Sequence, residues 1–160
     1  MTDLTQAISD RVERIRSGDD PELLGRMPSG HAILGKYQPD AVKGACMLVP
    51  DPVVASPNEL SHAERAQFFS DLILLGDAIL EATGAERINY LVLCNQVPEL
   101  HGHCIPRFTS EDPKARLQGP FEAYDFGAAR IADARGADRS LHSRLRTALL
   151  RALEQRDNQR

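Results

Sequence analysis

The chain has 160 residues, 42% of them hydrophobic, with 19 basic and 23 acidic side chains and a formal net charge of −4. That length accommodates one globular domain with an adequate core, and no apolar run approaches the roughly 20 residues needed to cross a bilayer. The acidic balance offers no general attraction to nucleic acid polymers, so any anionic small molecule must be met by locally placed groups.

From the N-terminus, Met1-Thr2-Asp3 opens a polar helix rather than a secretory signal, and Leu4, Ile8, Val12 and Ile15 recur at helical spacing. Gly18-Asp19-Asp20-Pro21 stops that helix. After a polar, proline-containing segment, residues 32–37 and 44–49 read as two strands joined around Gln38-Pro39-Asp40. Ser61 and Glu64 form a Ser-x-x-Glu capping box, and Phe68, Phe69, Leu72, Ile73, Leu75, Ile79 and Leu80 build an apolar face ending at Gly84. This predicts the central helix, with its two aromatic residues in the core. The run Ile88-Asn89-Tyr90-Leu91-Val92-Leu93-Cys94 predicts a buried strand, and Asn95-Gln96-Val97-Pro98 a short hairpin connection.

Beyond Phe108, Asp112-Pro113 and Gly119-Pro120 punctuate a long loop of the kind that can cover a site, with Arg130 or Arg135 as candidate phosphate contacts. Leu141, Leu145, Leu149 and Leu153 then define a last helix, capped by Asp138 and flanked by an exposed basic face. Residues 155–160 lack apolar anchors and are expected to fray, which leaves one domain over residues 1–154. Cys46, Cys94 and Cys104 form an odd set and read as small buried hydrophobes in a reducing cytoplasm. His31, His62 and His142 are expected in structural or surface roles.

The chemistry concentrates in Glu99-Leu100-His101-Gly102-His103-Cys104-Ile105-Pro106-Arg107. In an extended strand alternate side chains share a face, so Glu99, His101 and His103 stand in a row roughly 6 to 7 Å apart. An uncharged imidazole nitrogen can attack phosphorus and carry a nucleotidyl group if an acceptor on its other nitrogen fixes the tautomer. Asn95, one strand away, adds a polar amide able to orient ribose or phosphate.

This row resembles the signature of the histidine triad family of nucleotide hydrolases and transferases, His-x-His-x-His followed by apolar residues and often by Ile-Pro-Arg. The resemblance extends back through Gly44-Ala45-Cys46-Met47-Leu48-Val49-Pro50 and Asn58-Glu59-Leu60-Ser61, covering residues 30–108. It implies an α+β domain: a mostly antiparallel sheet of about five strands with a central helix and helices at both ends. It further implies a homodimer, a nucleotide substrate, no cofactor and no resident metal. By the match, His101 is the nucleophile and His103 supports the phosphate and leaving group. Asn95, with Gln96 and Arg107, belongs to the substrate-binding set. The chain departs from the pattern at Ala45, Val53 and above all Glu99, where the family has its first histidine. Glu99 keeps the backbone carbonyl that orients the nucleophile. Its carboxylate must be paired with Arg107 or Lys36, be protonated, accept a proton from a histidine, or turn away from an anionic phosphate. Two other readings remain open: a nucleotide-binding or interaction module with weakened catalysis, and a metal enzyme using Glu99, His101 and His103 as ligands.

Overall fold

The computed structural model describes residues 3–159. Met1 and Thr2, where the sequence predicts the start of a polar helix, and Arg160, at the end of the expected frayed tail, lie outside them. Five strands form one antiparallel sheet in the order β1-β2-β3-β5-β4. They are β1 (Leu23–Met27), β2 (Gly30–Leu34), β3 (Cys46–Pro50), β4 (Arg87–Leu91) and β5 (Gly102–Arg107). The helices are α1 (Ala7–Arg16), α2 (His62–Thr83), the short α3 (Pro120–Ala123) and α4 (Arg139–Asn158).

Local signals account for α2 from end to end. Ser61 Oγ accepts from the Glu64 backbone N–H at 3.2 Å, the Glu64 carboxylate accepts from the Ser61 N–H at 2.7 Å, and Gly84 closes the helix at φ 72°. Its inner residues Phe68, Leu72, Leu75 and Ile79 join Leu141, Leu145 and Leu149 of α4 against Ala32, Leu34, Cys46, Leu48 and Cys104 of the sheet. Phe69, expected in the core with Phe68, is 42% exposed.

On the opposite sheet face Ile8, Val12 and Ile15 of α1 pack on Ile33 and Val49. A second patch joins Val42, Ala45 and Ile105 to Tyr124 and Phe126. Residues directly opposed in an antiparallel pair share a face, and Met47 pairs with both Ile33 and His103. The histidines therefore stand on the α1 side of the sheet, between these two patches.

Several expectations are corrected. The segment before residue 30 contains β1, whose irregular register between Leu23 and Gly25 blurs its alternation. β4 stops at Leu91 and β5 begins at Gly102, so the link is a longer connection through Val92 and His101 rather than a four-residue hairpin. Asp138 stands at the N-cap of α4 as expected, but its side chain makes no capping hydrogen bond; its buried carboxylate binds the Arg130 guanidinium and the Asp133 N–H. That ion pair also commits Arg130 away from any phosphate. Finally, α4 continues to Asn158 where fraying was expected, because Arg156 reaches the fully buried Asp71 at 2.7 Å.

Candidate active site

β5 carries the site because its two faces have different tasks. Gly102 points towards α2, where a Cβ would stand 2.7 Å from Leu72 Cδ1. Only glycine lets the helix approach so closely. Cys104, on the same side, donates its thiol to the Leu72 carbonyl at 3.4 Å. With that side sealed, His101 and His103 face the other way, ring centroids 5.0 Å apart and planes at 83°.

His101 is 7% exposed, and its Nδ1 donates to the Glu99 carbonyl at 2.7 Å. A carbonyl oxygen can only accept, so Nδ1 holds a proton, and in the uncharged ring Nε2 carries the lone pair. Burial, with His101 nearby as the smaller cause, pushes the His103 imidazole down to about 4 and keeps it neutral at physiological pH. The Phe121 ring lies edge-on to His103 at 5.0 Å, and Phe126 backs Phe121 at 4.8 Å. The loop after Phe108 thus covers one side of the histidines.

Glu99 is not the third member of the row. Its residue precedes β5, and its carboxylate turns away to α1: Oε1 accepts from the N–H groups of Ile8 and Ser9, each at 3.1 Å, and Oε2 accepts from the Ser9 hydroxyl. The expected catalytic carboxylate is instead a helix-end acceptor, and only its backbone carbonyl meets His101. The ligand set of the metal reading is consequently not assembled. Among the described residues no group of three or more His, Cys, Asp or Glu is placed to hold a metal ion.

Arg107, predicted to bind substrate, is also corrected. It is 6% exposed and all its N–H groups are engaged: with the Glu111 carboxylate, Asn89 Oδ1 at 2.7 Å, and the carbonyls of Gln118 and Ala115 at 2.8 Å each. It pins the loop that carries Phe121 back onto β5. A cavity of about 560 Å³ beside it, lined by Arg87, Arg116 and Leu117 among others, does not include the histidines. Asn95 and Gln96 are exposed on the connection that follows Cys94.

Cys94 is half-buried rather than core, with φ 55°, its sulfur 3.9 Å from His101 Nδ1 and 3.6 Å from the His101 carbonyl. The apolar run around it gave no sign of this placement. Nor did the sequence mark Ser9 or Phe121 as neighbours of the site. His31, expected to be unremarkable, stands 2.9 Å from Asp51, whose carboxyl is held well below the usual range chiefly by Arg16.

A five-stranded antiparallel sheet with a hydrogen-bonded histidine at the start of an inner strand defines a protein of the histidine triad fold. No family model matches the chain, and none of the curated proteins matches it in sequence. Solved structures do. A histidine triad (HIT) protein from Sinorhizobium meliloti 1021 is 26% identical over 87% of this chain and 93% of that one, with a TM-score of 0.64. A histidine triad protein from Bradyrhizobium japonicum, at 22% identity, shares the fold over 85% and 94% of the two chains (TM-score 0.63). So does a hypothetical histidine triad nucleotide-binding protein from Sulfolobus tokodaii, at 16% identity over 88% and 91% (TM-score 0.66). Fold, motif and likeness together give this chain the histidine triad fold and make it similar to histidine triad proteins over most of its length.

Proposed function

We propose that the protein is a nucleotide hydrolase or nucleotidyl transferase acting at the α-phosphorus of a nucleoside phosphoramidate or dinucleoside polyphosphate. The observation that carries this reading is the 2.7 Å hydrogen bond from His101 Nδ1 to the Glu99 carbonyl, which fixes the tautomer in which Nε2 of the uncharged ring is the nucleophile. The Nε2 lone pair forms a bond to phosphorus as the bond from phosphorus to the leaving nitrogen or oxygen breaks. The leaving group takes a proton from solvent. Water then attacks phosphorus, the P–Nε2 bond breaks, and nucleoside monophosphate departs as the water's proton passes to solvent. His103, kept uncharged, offers a hydrogen bond to phosphate or the leaving atom rather than a full positive charge. Asn95, exposed beside Cys94, supplies a substrate amide, with Gln96 next to it. The two displacements need no metal in principle.

The test is release of nucleoside monophosphate from a panel of adenosine and guanosine phosphoramidates and dinucleoside polyphosphates by metal-stripped protein. Turnover by wild type, reduced at least about 10³-fold in His101→Ala, supports the reading. Nucleotide binding without turnover of any member overturns it in favour of a binding module.

A homodimer belongs to the same proposal. β4 is one of the two edge strands of the sheet, and Tyr90 on it, like Phe69 and Ile73 on α2, is exposed. Ile73→Glu is expected to shift the mass in solution from dimer to monomer. No helix among the described residues is long and apolar enough to cross a membrane, and three free cysteines accord with a reducing cytoplasm.

A further inference from the structure

We propose that Glu99 is a positioning residue that ties α1 to the nucleophile: its carboxylate holds the N-terminus of α1 while its carbonyl holds the Nδ1 proton of His101. The two ends of one residue thereby couple a helix to the reacting imidazole.

Three observations carry this. First, the contacts are at the start of α1, where backbone N–H groups lack helical acceptors and the helix dipole favours negative charge. The helix has no cap of its own, since Gln6 makes no side-chain hydrogen bond there, and Glu99 takes that place from a position far along the chain. Second, among the described residues the peptide unit whose carbonyl meets His101 makes one other hydrogen bond, the Leu100 N–H donating to the Val54 carbonyl at 2.8 Å, on the side of the buried Leu100. Releasing the carboxylate leaves that unit held at one end. Third, α1 is a firm anchor. Its Ile8, Val12 and Ile15 are buried on the histidine face of the sheet, and Val97 of the same connection packs into that cluster. The replacement of an imidazole by a carboxylate thus has a stated use: it acts on α1, not on phosphorus.

The kinetic arm rests on the nucleotidyl-transfer reading; the spectroscopic arm does not. Amide exchange at Ile8 and Ser9, the His101 tautomer by ¹⁵N NMR, and kcat with KM are compared among wild type, Glu99→Ala, Glu99→Gln and the milder Ser9→Ala. A glutamine oxygen still accepts from both N–H groups, so Glu99→Gln is expected within threefold of wild type throughout. Glu99→Ala is expected to speed exchange at both amides at least tenfold, to populate the second His101 tautomer, and to lower kcat about tenfold with KM within threefold. Ser9→Ala moves each in the same direction by less. Faster α1 exchange with an unchanged His101 tautomer overturns the proposal, as does unchanged exchange. If wild type shows no turnover, the proposed function falls and the tautomer alone decides this one.

Discussion

Under α2 and α4 the sheet presents Ala32, Leu34, Cys46, Leu48 and Cys104 to one continuous apolar layer. On the other face Ile33 and Val49 lie beneath α1, Ile105 beneath the segment of Tyr124 and Phe126, and the two imidazoles stand in between. Both faces use the same strands, so the difference comes from what is laid over them. Two long helices, α2 and α4, seal one side. Two separate covers on the other leave the histidines at their junction, desolvated enough to hold His103 neutral but not filled by core side chains. Stability and chemistry are divided between the two faces of β5, residue by residue.

That division is open to attack from either side. The largest stability effect is expected from Arg107→Ala, which strands the buried Glu111 carboxylate. A loss of about 3–5 kcal/mol in urea unfolding is expected, with turnover per folded molecule retained. Lost turnover at full stability would return Arg107 to the substrate site. Leu72→Ala, on the sealed face against Gly102 and Cys104, is expected to cost about 3 kcal/mol, again without altering the chemistry of the folded fraction.

Next comes His103, through its titration. Its folded pKa, pushed down to about 4, lies below the ordinary 6.5, so the unfolded chain takes up the proton first as pH falls. The group's contribution is complete above about 6.5 and is lost between there and about 4, up to roughly 3 kcal/mol. His103→Gln should lack that part of the pH dependence in denaturant titrations at successive pH values. The smallest effect is expected from Phe121→Ala, which opens one cover: about a fivefold change in KM, near 1 kcal/mol, with little change in melting temperature.

What could be read in advance follows the range of the forces involved. α2 was legible because its start and stop are set by Ser61, Glu64 and Gly84, all local to the helix. The alternation around His101 and His103 likewise survives, since period-two geometry needs no partner. Glu99 broke from the row because its carboxylate answers to Ile8 and Ser9, far away in sequence, and no spacing rule reports a contact of that kind. Arg107 sits at the correct parity for the site but is captured by Glu111 when the following loop folds back. β1 escaped notice for a different reason: its register irregularity and the glycine at position 25 erase the alternation.

The most direct measurement is the stereochemical course at the α-phosphorus, using a substrate made chiral there by isotopic or sulfur substitution. Two successive in-line displacements, first by His101 Nε2 and then by water, predict net retention of configuration. Inversion would mean that water attacks in a single step, and would contradict a nucleotidyl intermediate on His101.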